Sequence, residues 1–144
     1  MGRNFVIHAS RRKAMRKTAF VIFVLVIVGS LLFGCTPRRT IPIGEAENGR
    51  TVEMNAGDTL KISLAGNPTT GYNWYVASVD TDVLQQVGES VFVASSNAMG
   101  AGGIITLSFQ ASIAGQTSLM LEYKRAWETG VSPLQTYSVM VVVK

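Results

Sequence analysis

Apolar and polar positions along the chain fall into two regimes. Ala19 to Phe33 is a charge-free apolar run, whereas from about Arg50 short alternating runs are separated by Gly, Asn, Asp and Pro, the pattern of strands and turns. Thr59 to Leu64 puts Leu60, Ile62 and Leu64 on one face. Asn73 to Ser78 does the same with Trp74 and Val76, so Trp74 reads as core. Ile104 to Ala111 aligns Ile105, Leu107, Phe109 and Ala111 against Thr106, Ser108 and Gln110, and Leu119, Leu121 and Tyr123 make a further stripe. Shorter runs cover Leu84 to Val87 and Val91 to Val93, and Gln135 to Lys144 closes the chain in β-branched residues. No amphipathic helix emerges. About seven strands in roughly 95 residues predict an all-β fold, an immunoglobulin-like antiparallel β-sandwich.

The apolar run changes how the ends are read. Arg3, Arg11, Arg12, Lys13, Arg16 and Lys17 precede it, and no acid interrupts either part, which is the arrangement of a secretory signal. The run is shorter than the roughly 20 residues of a comfortable membrane span. It ends in Leu32-Phe33-Gly34-Cys35, which resembles the lipobox of bacterial lipoproteins, with Phe33 bulkier than the usual occupant. That resemblance implies a lipid on Cys35 and cleavage before it. An uncleaved signal anchor is the other reading. Either way the excess of basic residues before the run keeps the N-terminus cytoplasmic and places the domain outside. The Pro- and Gly-punctuated stretch from Thr36 to Asn48 reads as a tether, able to extend about 40 Å at roughly 3.3 Å per residue.

Charge then looks different. Six of the 13 basic residues lie before Ala19, leaving seven against nine acids, so the processed chain is near −2 rather than +4. Nucleic-acid binding loses its compositional support. The single His, His8, falls in the signal, and the single Cys, Cys35, has no partner for a disulfide. The domain therefore cannot assemble a Ser-His or Cys-His dyad or a His/Cys zinc site. Its carboxylates, Glu45, Glu53, Asp58, Asp80, Asp82, Glu89, Glu122 and Glu128 among them, show no paired spacing. No enzyme activity and no cofactor are expected.

Three loops carry more information than connectors need. In Gly66-Asn67-Pro68-Thr69-Thr70-Gly71-Tyr72-Asn73-Trp74, Pro68 fixes its own φ and pushes Asn67 toward extended backbone. Thr69 and Thr70 are stiff at χ1, Gly71 can take φ > 0, and the Asn67 amide can hold the loop backbone. A firm protruding loop follows, as either a binding element or a well-made turn. Ala98-Met99-Gly100-Ala101-Gly102-Gly103 allows close backbone approach, or is a flexible hairpin connection. No lysine follows these glycines and no helix follows the loop, which argues against phosphate binding. Trp127, in Arg125-Ala126-Trp127-Glu128-Thr129-Gly130, is either an exposed interface anchor or folded back on the sandwich edge.

Taken in order, Asn67-Pro68-Thr69-Thr70-Gly71-Tyr72, Gly100-Ala101-Gly102-Gly103 and Arg125-Ala126-Trp127 resemble the three motifs of the chagasin family of cysteine peptidase inhibitors. The first two match; the third has Ala126 where the family usually has proline. The resemblance spans roughly Arg50 to Lys144. It implies a reversible, competitive inhibitor whose three loops fill the cleft of papain-like cysteine peptidases. Asn67, Pro68, Thr69, Thr70, Gly71 and Tyr72, then Gly100, Gly102 and Gly103, then Arg125 and Trp127 would form the binding face. The alternative is a surface-anchored immunoglobulin-like adhesion or structural lipoprotein.

The expected layout is a lipoprotein-type signal peptide over 1–34, lipidated cysteine and tether over 35–48, and a chagasin-like inhibitor domain over 49–144. The protein is expected as a monomer in the cell envelope, facing outside the cytoplasm, with a papain-like peptidase and the membrane as partners. Intact-mass analysis of protein from its native membrane should show the segment before Cys35 removed and a lipid-sized addition. Cys35→Ser should block both, and an uncut, unmodified wild-type chain would refute the lipoprotein reading.

Overall fold

Alternation along the chain becomes nine strands: β1 (Thr40–Ile43), β2 (Thr51–Met54), β3 (Thr59–Gly66), β4 (Asn73–Ser78), β5 (Leu84–Gln86), β6 (Val91–Ala94), β7 (Gly103–Ala111), β8 (Gly115–Lys124) and β9 (Gln135–Val143). The computed structural model describes residues 37–144; the expected signal peptide and Cys35 lie outside them. One sheet has the order β1-β3-β7-β5, with β6 also on β7; the other runs β2-β9-β8-β4. β5 pairs with the end of β7 and β6 with its beginning, so both lie along one edge of that strand.

The predicted inner faces make the core. Leu60, Ile62 and Leu64 of β3 and Ile105, Leu107, Phe109 and Ala111 of β7 oppose Leu119, Leu121 and Tyr123 of β8 and Tyr137, Val139, Val141 and Val143 of β9, all buried. Val52 and Met54 add the inner face of β2. Burying one large aliphatic side chain is worth roughly 1.5–3 kcal/mol, and in the absence of a disulfide these faces and the strand ladders hold the fold. Trp74 is buried as expected and donates its indole N–H to the Ala65 carbonyl at 3.0 Å.

Two expectations need correction. Among the described residues there are nine strands rather than about seven, and the sheets are mixed: β1 pairs parallel with β3, and β2 parallel with β9. The stretch read as a tether also belongs to the domain from Thr40 onward. Its punctuation misleads because β1 is an edge strand, where Pro42 removes no essential ladder bond. After β1 the chain crosses from one sheet to the other through a 3-10 turn at Glu45–Glu47. Side chains staple this crossing. Glu47 accepts from Gly44 N at 2.8 Å, Glu45 from Ala65 N at 3.1 Å, and Asn48 from Ser138 N at 2.9 Å. The Tyr137 hydroxyl donates to the Gly44 carbonyl at 2.8 Å; burial pushes its pKa up to about 12, so it remains a donor.

The registers sort the loops by pole. Gly66 and Ala94 both pair with Gly103, Asn73 with Lys124, and Tyr123 with Gln135. Loops 67–72, 95–102 and 125–134 therefore emerge together. Thr40 pairs with Thr59 at the start of β3, so β1 begins at the opposite pole.

At that opposite pole, buried Asp58 accepts the backbone N–H groups of Arg39 at 2.9 Å and Asn55 at 3.0 Å. The Arg39 bond first, then the Asn55 bond, hold its pKa below the ordinary 3.8. A carboxylate with a lowered folded-state pKa stabilises the fold above its unfolded value, and that stabilisation is lost as pH falls through the lowered value. Asp58→Asn puts an amide donor against at least one of these N–H groups and should lower the thermal midpoint at neutral pH. The gap from wild type should narrow as pH falls through the acid range and the wild-type carboxylate becomes protonated. A pH-independent gap in melting curves would show that the carboxylate charge is not the stabilising element.

Candidate functional site

The loop after β3 is built around one asparagine. Asn67 precedes a single 3-10 turn, Pro68–Thr70, with Pro68 supplying a preset φ at its first position. Asn67 Oδ1 accepts from Thr69 N at 3.2 Å and Thr69 Oγ1 at 2.6 Å. The Asn67 carbonyl accepts from Thr70 N at 3.1 Å and Thr70 Oγ1 at 2.6 Å. Gly71, at φ 85°, ends the turn and returns its N–H to the Pro68 carbonyl at 2.9 Å. Both threonine hydroxyls are thus turned inward on the loop, so Thr69 and Thr70 expose their remaining surface on a rigid apex.

Beneath the apex lies an aromatic stack that connects it to the core. Tyr123 sits between Tyr72 and Trp74, with ring centroids 5.4 and 5.2 Å away. Its hydroxyl accepts the Asn67 backbone N–H at 2.7 Å. Sequence reading placed Tyr123 only on an inner strand face. The available signal was a tyrosine at the end of an apolar stripe, where its polar tip needs a partner.

The loop after β8 docks on the first. Arg125 lies over the Tyr72 ring at 4.5 Å, donates from Nε to the Thr70 carbonyl at 3.1 Å and pairs through Nη1 with Glu128 at 3.0 Å. The Glu128 hydrogen bond raises the guanidinium's pKa further, so its charge is permanent. Glu128 N returns to the Arg125 carbonyl at 3.2 Å, making Ala126 and Trp127 the two corners of a turn. Trp127 remains 66 % exposed, which excludes the folded-back alternative. Its indole lies on Gly71: a Cβ there would run into Trp127 Cη2 and come within 2.8 Å of Cζ2.

The glycine loop divides its labour. Ala101 N bonds the Ala98 carbonyl at 3.1 Å, with Gly100 at φ 77° on the second corner of that turn. Asn67 Nδ2 donates to the Gly100 carbonyl at 2.8 Å, joining this loop to the first. Ser95 N and Oγ both donate to the Gly102 carbonyl, at 2.9 and 2.7 Å. Gly103 begins β7, and a side chain there would collide with the Val93 carbonyl and crowd Ala94. Its close backbone approach is therefore to its own neighbour strand. Gly102 also faces inward, toward Gly66 and Asn67.

Ten of the eleven residues expected at the face, Asn67 to Tyr72, Gly100, Gly102, Arg125 and Trp127, gather in the loops at one pole, with Gly103 at the adjoining strand start. The result is a convex ridge of threonine, glycine and indole surface, held by hydrogen bonds between its loops. Nothing in it is a nucleophile or a general base. Seven of the nine side-chain carboxylates are engaged locally: Asp58, Glu45 and Glu47 on backbone N–H groups, Asp80 on Asp82 N, and Glu122, Glu128 and Glu53 on Lys124, Arg125 and Lys144. Such a ridge suits recognition by shape.

Residues 53–141 match the family described as chagasin family peptidase inhibitor I42. The chain belongs to the chagasin family. It is 32% identical to amoebiasin-2 of Entamoeba histolytica over 101 residues, which cover 69% of this chain and 82% of that protein. It is also 32% identical to chagasin of Trypanosoma cruzi over 94 residues, covering 62% and 84%. Among solved structures, the crystal structure of the cysteine protease inhibitor EhICP2 from Entamoeba histolytica superposes with a TM-score of 0.66 at 27% identity. That match covers 76% of this chain and all of the other. The family is one of inhibitors, not enzymes, and its β-sandwich fold agrees with the two-sheet architecture here.

At Gly71 the first and third loops meet with no room for a side chain between them. Gly71→Ala adds a left-handed backbone penalty of about 1–2 kcal/mol and expels the Trp127 indole from its seat. A lowered thermal midpoint and altered tryptophan emission should result, with the β-sheet circular dichroism retained. Trp74 is buried, so the emission change reports Trp127. Unchanged emission would show that the indole does not rest on Gly71.

Proposed function

We propose that the chain inhibits papain-like cysteine peptidases reversibly and competitively, by seating the three-loop ridge in the active-site cleft. One observation carries this reading. Asn67 and Arg125 hydrogen-bond the three loops into one body, capped by Thr69, Thr70 and Gly71 and flanked by an exposed tryptophan. A ridge already ordered before binding loses little conformational freedom in the complex, so more of the contact energy appears as affinity. Membership in a family of peptidase inhibitors favours this reading over an adhesive or structural sandwich.

In the proposed complex, Thr69, Thr70 and Gly71 approach the catalytic cysteine and exclude substrate from it. The backbone around Gly100 follows one cleft wall, and Trp127 packs on the other, on the side of the peptidase's histidine. Arg125 and Tyr72 act behind the surface, holding Thr70 and the indole in place. No bond is made or broken. One domain presents one ridge, so a monomer suffices.

The proposed anchor is the lipidated Cys35. β1 enters the domain at the pole opposite the ridge, so a domain attached through its N-terminal side can present the ridge away from the attachment. This arrangement suits an inhibitor of peptidases encountered outside the cytoplasm.

Inhibition constants against papain, measured on the full chain in mild detergent, test the reading. Trp127→Ala should weaken inhibition by about 2 kcal/mol, the usual threshold of an interface anchor. Thr70→Glu should lose more, since it places a charge in a dry contact. Ala126→Pro should tighten inhibition by about 0.4–1 kcal/mol, because a proline suits the first corner of the Arg125–Glu128 turn and limits the unbound loop. If folded Trp127→Ala and Thr70→Glu proteins both inhibit like wild type, the ridge is not the inhibitory surface.

A further inference from the structure

Little free chain remains between Cys35 and the fold. The Arg39 carbonyl accepts from Thr59 N at 2.8 Å while its N–H is held by Asp58. The Arg38 side chain lies over Gly57, 3.9 Å from where a Cβ would stand. The domain therefore takes hold of the chain at Arg38, and only Thr36 and Pro37 separate that residue from Cys35. Three residue steps span at most about 11 Å, in place of the roughly 40 Å of a free tether. A domain attached at Cys35 cannot stand clear of a membrane, so the pole at which the chain enters must meet the lipid surface.

The side chains at that pole suit such a surface. Gly57 N donates to the Ala111 carbonyl at 2.8 Å, Ala111 N to the Asp58 carbonyl at 3.0 Å, and Ala56 N to the Lys144 carbonyl at 3.0 Å. The turn after β2, the end of β9 and the β7–β8 hairpin therefore finish together beside Arg38. Ile113, 56 % exposed, is at the tip of that hairpin, and the chain carries no charged side chain from Ser90 to Leu121. Arg38 and Arg39 are exposed, and neither enters an ion pair among the described residues. Of the acidic side chains here, Asp58 is spent on backbone N–H groups, Glu53 on Lys144 and Asp80 on Asp82 N. That leaves Asp82 against two unpaired guanidinium groups. A lone exposed isoleucine is ordinary, but an apolar tip beside unpaired arginines is what a headgroup layer receives: the tip leaves water and the cations meet phosphate.

We propose that this pole is a membrane-docking face, with Ile113 entering the headgroup region of an anionic phospholipid surface and Arg38 and Arg39 on its phosphates. The ridge is then presented upright, away from the lipid. This rests on the anchor at Cys35 proposed above. With that anchor the contact is intramolecular, so features too weak to hold a vesicle from solution suffice. The arginines also lie at a distance comparable with the Debye length of about 8 Å at physiological salt, so the surface charge reaches them.

The full processed chain, reconstituted in vesicles of phosphatidylcholine with phosphatidylglycerol, tests this. Acylated Cys35 has no free thiol, so a fluorophore can be placed on Ala114→Cys, beside Ile113, or on Thr129→Cys in the loop at the ridge pole. Lipids carrying a nitroxide near the headgroup should quench the label at 114 and not the label at 129. Arg38→Gln with Arg39→Gln should lower the docked-to-free ratio read from that quenching by about tenfold, as should omitting phosphatidylglycerol. Ile113→Ser should lower it by about three- to tenfold. Thermal midpoints should stay near wild type, because the altered side chains are exposed. Equal quenching at 114 and 129 would show a domain tumbling on its connection and overturn the proposal. If either variant is quenched at 114 like wild type, nearness comes from the short connection alone and the docking face falls. A chain that carries no lipid and does not float with the vesicles would refute the anchor itself, a result distinct from a floating chain without the difference between labels.

Discussion

Asn67 spends nearly its whole hydrogen-bonding capacity at one pole of the sandwich. Its N–H goes to the Tyr123 hydroxyl, its carbonyl to Thr70, its Oδ1 to Thr69 and its Nδ2 to the Gly100 carbonyl. No other side-chain type of this size offers both an acceptor and two donors at that reach. Two loops are therefore held by one residue, and that residue is itself held by a ring buried in the core. Arg125 brings in the third loop by reaching the same turn from the other side. The ridge inherits the rigidity of the sandwich because its hydrogen bonds end on core elements.

This explains how a small, histidine-free domain can act on an enzyme without chemistry of its own. The work a cleft-filling inhibitor must do is to lose as little freedom as possible on binding. Proline at the start of the turn, threonine hydroxyls satisfied within the loop, a glycine whose missing side chain seats the indole, and a permanently charged guanidinium on an aromatic face all reduce that loss. None of these groups titrates near neutral pH. The face thus keeps its shape and charge across conditions in which a peptidase's own catalytic groups change theirs.

The two parallel edge strands serve a different end of the molecule. β1 and β2 each close an outer edge of one sheet, and the short crossing between them ties the sheets through Glu45, Glu47, Asn48 and Tyr137. Asp58 fastens the start of β1 at the pole away from the loops. β1 therefore begins at the pole opposite the ridge, with its start pinned there.

What the residues determined alone was everything carried by short-range pattern. The faces of β3, β7, β8 and β9 were legible because a strand repeats every two residues, and each stripe was long enough to show it. The turn at Pro68–Thr70 was legible because proline, asparagine and glycine act on their immediate neighbours. Tertiary structure decided the rest, and the reason is distance along the chain. β1 is a strand only because β3 lies beside it, and its Pro42 and flanking Gly44 otherwise read as linker. The bonds that fuse the loops join residues 33, 55 and 56 positions apart, beyond any local signal. The same holds for Gly103, whose small size is taken up by Val93 of its own sheet, and for Trp127, whose exposure depended on Gly71 of another loop to seat it. Composition could state that these residue types were present; only the packed sandwich could state which of them face one another.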